Sequence, residues 1–320
     1  MLNRELFKKH ANVFDFDDEK HPYLAFFVLL PTIPTAYKTL KTRGIPDDII
    51  GNTLCHYEEC VFIYEERYGR RGLNKRYFTW LQHYVDCDIL NIDRLRFEFR
   101  HIEDPVYLLK CNATEEYVLL YSGGEMKANG MCIETPPENK ANTFLAEFSE
   151  TETEYIGNRV LANGKCAETR EVFSKSQYTL LLRPSDTCLS VHIPPKSKGK
   201  FTKDVCIKNY RRALDVVRKH YPELDVKAFR CRSWMLSQEL VGILNEESNI
   251  LKFREPYHIY PVPSKGEDVF NFVFKLNFKT FQDMPENTSL QRAIKKLYLD
   301  GKYVYEYGGI FSTEVLDCLK

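Results

Sequence analysis

Near residue 90 the hydrophobic period of this chain switches from about 3.6 to 2, which excludes both an all-helical and an all-strand architecture. Before the switch, Ile50, Leu54, Tyr57, Val61, Tyr64 and Tyr68 recur at alternating spacings of four and three. That is one face of a long amphipathic helix. Pro46, Asp47 and Asp48 suit its start, where acids meet the positive end of the helix dipole, and Gly69 suits its end. An apolar segment over His21–Leu30, a helix opened by Pro34 and stopped by Gly44, and a further helix over about Asn74–Val85 complete a helical region. After the switch, RLRFEFRH sends Leu95, Phe97 and Phe99 one way and Arg94, Arg96, Glu98 and Arg100 the other. The reading is α+β: an N-terminal helical bundle over 1–90, then a sheet-bearing region over 91–320 whose first β subdomain ends near 140.

Within the second region the pattern predicts short strands at Val106–Lys110 and Tyr117–Tyr121, a turn at Gly123-Gly124, and a hairpin turn at Asn163-Gly164. A strand at Cys188–Ile193 leads to a helix over Lys203–His220. Its stripe is Cys206, Tyr210, Ala213, Leu214, Val217 and Tyr221, and Thr202 is its N-cap. A strand at Ala228–Trp234, a short helix at Ser237–Leu244, a strand at Phe270–Phe278, a helix at Ser289–Leu299 and a final strand at Tyr303–Phe311 follow.

Composition then removes several function classes. The formal net charge is zero, so nothing global attracts nucleic acid or an anionic membrane. The longest apolar run, Tyr23–Leu30, stops at Pro31, too short to span a bilayer. The N-terminal stretch is charged throughout, without the apolar centre of an export signal. Ten scattered cysteines with no C-x-x-C spacing fit reduced thiols, so the expected localisation is cytoplasmic. Cys55 with Cys60, and His83 with Cys87, could each share a helix face, but no second pair joins either; no metal is expected.

One stretch carries a specific chemical suggestion. In VHIPPKSKGKFTK, residues 191–203, a strand runs through two prolines into a lysine-rich loop with one glycine, then into a helix. A helix N-terminus offers unbonded N–H groups to an anion, and a glycine lets backbone approach a phosphate. The bland alternative is a solvated basic turn. From Lys196 to Lys219 there are nine lysines and arginines against two aspartates, a patch that also suits a polyanion.

Six segments together resemble the GNAT-like acyltransferases with a helical N-terminal extension: RGIPDDIIGNTL, ERYGRRGL, RLRFEF, LSVHIP, CRSWMLSQELVGILNEESNILKF and PENTSLQRAIKKLYLDGKYVYEYGGIF. They span almost the whole chain. The resemblance implies a twisted mixed sheet flanked by helices. Its fourth strand would feed a pyrophosphate loop, and the fourth and fifth strands would splay around the pantetheine arm of an acyl-coenzyme A. By that resemblance Cys188–Ile193 is the fourth strand, Pro195–Thr202 the phosphate loop and Ala228–Trp234 the fifth strand. The family's loop reads Gln or Arg, any two, Gly, any one, Gly or Ala. Here KSKGKF keeps one glycine and puts Phe201 where a small residue is expected, with Asp204 in the following helical turn.

The candidate phosphate contacts are Lys196, Ser197, Lys198, Gly199 and Lys200, with Lys203 adjacent. The backbone at Val191, Ile193 and Ser233 is assigned to pantetheine and the thioester carbonyl. His192 shares a strand face with Cys188 and Ser190, the more polar side, and is the candidate base. Acyl transfer to an amine requires a lone pair on nitrogen, and a neutral imidazole can take the proton. Glu98 is a second candidate base, but three neighbouring arginines would lower its pKa, and a cross-strand ion pair is the simpler role. Tyr257 falls where the resemblance implies a tyrosine that protonates the leaving thiolate. Cys231 reads as a core residue.

The function implied is transfer of an acyl group from acetyl-coenzyme A, or another acyl-coenzyme A, to an unidentified small amine by direct attack in a ternary complex. The alternative is a non-catalytic GNAT-fold module that binds coenzyme A or a polyanion through the Lys196–Lys219 patch. No membrane or nucleic-acid partner is expected from the chain as a whole.

Overall fold

The computed structural model describes residues 20–75, 77–114, 116–135, 142–194, 199–275 and 278–319. The chain divides into two compact units: Met1–Phe99 with His192–Lys200 and Lys208–Asp225, and Arg100–Val191 with Phe201–Ile207 and Val226–Lys320.

The first unit opens with helices α1 (Leu24–Leu29), α2 (Ile33–Thr42), α3 (Asp47–Leu54), α4 (His56–Tyr68) and α5 (Tyr77–Asp86). The amphipathic stretch read as one helix is two, broken at Cys55. The break suits the bonds made next to it. Thr53 accepts from the backbone N–H of Asn91 at 2.9 Å, and Asn52 and Asn91 exchange side-chain-to-backbone bonds at 3.0 Å. Asn91 lies on β1 (Ile89–Ile92), which pairs antiparallel with β2 (Leu95–His101). The apolar faces converge on Ala25, Leu29, Tyr57, Leu81, Tyr84 and Ile89, all buried.

The second unit holds a meander of β3 (Val106–Cys111), β4 (Tyr117–Tyr121), β5 (Gly124–Lys127), β6 (Thr143–Ala146), β7 (Phe148–Glu150), β8 (Glu154–Val160), β9 (Cys166–Ser174) and β10 (Tyr178–Leu182). Five strands form a sheet in the order β10-β3-β4-β8-β7, and β9 pairs with β8 around the Asn163-Gly164 turn. Gly164 has φ +73°, as that turn requires. β11 (Thr187–His192) then leads to α6 (Lys203–His220), an 18-residue helix that Thr202 caps through the Val205 N–H. After it come β12 (Val226–Ser233), α7 (Asn249–Arg254), β13 (His258–Pro261), α8 (Asp268–Phe272), α9 (Ser289–Leu299) and β14 (Tyr307–Ser312).

β11 pairs parallel with β12, β12 antiparallel with β14, and β14 antiparallel with β13. Between this sheet and the meander lies a core that includes Leu108, Leu119, Tyr121, Cys188, Ala228 and Ile310. One polar cluster is buried beside it. Asp104 takes an ion pair from Arg230 on β12 and a hydrogen bond of 2.7 Å from the Tyr260 hydroxyl on β13. The segment Phe270–Phe278, read as a strand, instead begins with α8 and packs its aromatics against α9: Phe270 lies 5.2 Å from Tyr298 and 5.1 Å from Phe278. Phe270, Phe274 and Phe278 satisfy a spacing of four as well as of two, so contact with α9 decides. The segment Ser237–Leu244, read as a short helix, begins with a single 3-10 turn over Gln238–Leu240.

Candidate functional site

The first unit gathers its titratable groups around the end of β11. His192 is the last residue of that strand. Its Nε2 lies 3.0 Å from Oε2 of Glu98 on β2, across 94 residues of sequence. Glu98 is almost fully buried, 3% exposed, and its other oxygen lies 3.3 Å from Nδ1 of His83 on α5. His83 Nδ1 also meets Asp88 at 2.9 Å. An ionised Glu98 only accepts, so His192 donates from Nε2 and keeps its lone pair on Nδ1. The His192 side chain is 32% exposed, enough for a ligand to reach it. Burial draws its pKa below the ordinary imidazole value, against the opposing pull of Glu98, so the ring is neutral near pH 7.

Trp80 sets the ring in place. Its indole stands edge-on to His192 with centroids 4.9 Å apart. Its Nε1–H donates to His56 Nε2 at 2.8 Å, so His56 must carry its proton on Nδ1 and give it to Glu59 at 2.9 Å. Burial pulls the His56 pKa down to about 4, and the ring stacks on Tyr84 at 4.6 Å. Burial opposes the charge of Glu59, yet His56 and Arg96 outweigh it and hold that carboxyl below its usual range. Of the arginines flanking Glu98, Arg96 reaches Glu59 and Arg100 reaches Glu103. Glu98 thus has two imidazoles among its partners.

Sequence reasoning named His192 and Glu98 separately and did not connect Trp80, His83 or Asp88 with them. The signal was available in part: Trp80 and His83 stand three apart on one helix face.

The ladder between the two strands assigned to acyl-coenzyme A stops before the strands do. The β11–β12 ladder ends at Ser190 and Arg230, although β11 continues to His192 and β12 to Ser233. Val191 is buried and Ile193 half-buried. Ser233 caps the next turn, its hydroxyl accepting from the Met235 N–H at 3.1 Å. Pro195, Lys196, Ser197 and Lys198 lie outside the described residues. Gly199 has φ +93° with open space around it, and Lys200 is exposed. Phe201 packs on Phe253 at 5.3 Å, which accounts for a bulky residue at that position. Lys203 is bound to Glu255 at 2.6 Å, and Arg212 to Asp48 and Asp93, so part of the basic patch already serves internal carboxylates.

Tyr257 belongs to the second unit. It is buried between Phe253 and Phe311, at 5.3 and 5.0 Å, and lines a cavity of about 580 Å³. Cys231 is fully buried and its thiol is pushed up to about 12, which keeps it protonated and unsuited to attack. Among the described residues, no group of three His, Cys, Asp or Glu could hold a metal ion, and no helix is long and apolar enough to cross a membrane.

Two family models match the chain: an N-acyltransferase N-terminal domain over residues 2–87 and a GNAT-like C-terminal domain over residues 89–311. No curated protein matches it. Among solved structures, an acyltransferase in complex with decanoyl-CoA is 20% identical, with a TM-score of 0.58, covering 91% of this chain and 66% of that one. An acyltransferase in complex with CoA and 10C-teicoplanin is 18% identical, with a TM-score of 0.59 and the same coverage. A third, with decanoyl-CoA and teicoplanin, is 18% identical at TM-score 0.61, covering 96% of this chain and 75% of that one. The chain thus spans 66% of the length of the first two, and at these identities the likeness is one of fold.

Proposed function

Because the chain belongs to the GNAT-like N-acyltransferase family, we propose that it moves an acyl group from an acyl-coenzyme A to an amine by direct attack in a ternary complex. The observation that carries this reading is the His192–Glu98 pair at the end of β11. A neutral imidazole with an accessible Nδ1, backed by a buried carboxylate, is what deprotonation of an attacking amine requires.

In this reading the amine nitrogen bonds to the thioester carbon as its proton passes to His192 Nδ1. Glu98 stabilises the imidazolium that results. The backbone at Val191, Ile193 and Ser233 holds the pantetheine and the carbonyl oxygen on which negative charge develops. Collapse of the tetrahedral intermediate breaks the carbon–sulfur bond, and Tyr257 protonates the departing thiolate. The loop from Lys196 to Lys200, with backbone near Gly199, holds the pyrophosphate. Among the similar solved structures, two hold decanoyl-CoA, one octanoyl-CoA and one CoA; one of them also holds teicoplanin and another 10C-teicoplanin. Those ligands favour an acyl chain longer than acetyl.

The test is thermal unfolding during titration with coenzyme A, acetyl-CoA and decanoyl-CoA, with wild type beside Lys198→Glu/Lys200→Glu. A ligand at 100 times its Kd stabilises by about 2.7 kcal/mol. A midpoint shift in wild type that the double variant loses is expected, larger with decanoyl-CoA than with acetyl-CoA. No shift at millimolar ligand would move the reading to the non-catalytic module.

A further inference from the structure

The cavity in the second unit has a wall of α7 and β13 and a wall of β4, β8 and β9. Tyr117, Leu119, Val241, Leu251 and Ile259 give it apolar surface. Its charged lining residues are mostly matched. Arg159 meets Glu116 at 2.9 Å and Glu171 at 3.7 Å, and Glu255 holds Lys203.

Arg254 is the exception. It is the last residue of α7, 9% exposed, and lines the cavity. Its Nε is buried with no hydrogen-bond partner, and no ion pair reaches its guanidinium among the described residues. Glu239 pulls on it electrostatically, but the Glu239 oxygens already take the hydroxyls of Ser237 at 2.6 Å and Tyr307 at 3.4 Å. A buried charge without a partner is strongly unfavourable, and an uncompensated donor carries its full desolvation cost. Such a group at the wall of an open cavity is what a ligand anion would satisfy.

We propose that this cavity binds a small organic monocarboxylate, with the Arg254 guanidinium holding its carboxylate and the apolar wall its body. One unmatched cation calls for one negative charge. A phosphate dianion would leave excess charge beside Glu171 and Glu255. His258, 5.2 Å from the Tyr117 ring, is kept neutral because burial pulls its pKa down to about 4, so it adds a hydrogen-bonding group and no second charge.

Calorimetric titration of the full chain with butanoate, hexanoate, octanoate and phenylacetate tests the proposal. Hexanamide and inorganic phosphate are the comparators. At least one carboxylate should saturate at one equivalent while hexanamide and phosphate do not. Arg254→Gln should weaken that binding about tenfold to a hundredfold, the loss expected for a charge-assisted bond. Should Arg254→Gln fail to fold, Val241→Trp fills the cavity from an exposed wall position, 50% accessible, and should abolish binding. Tyr257 lines this cavity as well, so the proposal shares a wall with the acyl-transfer reading; binding of the free carboxylate without coenzyme A, weakened in Arg254→Gln, is what stands apart from that reading. Absence of saturable binding by all four carboxylates, equal binding by hexanamide or phosphate, or undiminished binding by a folded Arg254→Gln or Val241→Trp would overturn the proposal.

Discussion

At the scale of single residues, the site depends on which nitrogen of each imidazole holds a proton. Trp80 donates to His56 Nε2, and Glu98 accepts from His192 Nε2; these two bonds fix both tautomers and leave His192 Nδ1 as the base. Activity should therefore fall as pH drops through the His192 pKa, which lies below 6.5 because burial outweighs Glu98. Replacing Glu98 by Gln removes an interaction that raises that pKa. The acid limb of kcat should move to lower pH, and the plateau should fall because a weaker base takes the proton. His192→Ala should reduce kcat by about 10²–10⁴-fold with the fold intact. An unmoved acid limb in Glu98→Gln, read from kcat between pH 5 and 8, would remove Glu98 from the proton path.

At the scale of elements, strands that carry the site rest on close packing beneath them. Across the β13–β14 ladder, Gly308 in β14 faces Tyr260 and Gly309 faces Ile259. A Cβ on Gly308 would overlap the Tyr260 ring, and one on Gly309 would come within 3.0 Å of Tyr257. An aromatic ring laid over a strand glycine fills the space its missing side chain leaves. Tyr260 is fully buried and its hydroxyl is committed to Asp104, so it has nowhere to go. Gly308→Ala should cost about 1–3 kcal/mol, as overpacking does, and lower the urea midpoint. A neutral result would mean that the ring can rotate aside.

For the whole molecule, buried histidines tie stability to pH. His56 and His258 are both held near 4, against 6.5 when unfolded. The unfolded chain thus binds up to two more protons as pH falls between those values. Stability is complete above pH 6.5 and declines by up to ~2.7 kcal/mol per pH unit on the way down to about 4. Urea unfolding at pH 7 and pH 5 measures it, and His258→Gln should remove about half of the slope. Equal stability at the two pH values would show that these rings are protonated in the folded state.

The sequence by itself determined the elements whose signals were redundant. α6 carries a period and a capping threonine, and both it and α9 lie where the reading put them. The switch of period at residue 90, the strand before VHIPPKSKGKFTK and the polar strand face that bears His192 were legible for the same reason. Phe270–Phe278 was not, because its phenylalanines satisfied two periods at once and only packing against α9 separates them. The helix break at Cys55 was not, because it accompanies bonds to Asn91, far along the chain. Above all, only the tertiary structure decided that Glu98 meets His192 and His83, and that Arg254 lines a cavity without an ion pair among the described residues. Hydrophobic patterning is local and tolerates small errors of position. A hydrogen bond across 94 residues depends on direction and on tenths of an ångström, and is settled only when the strands are in register.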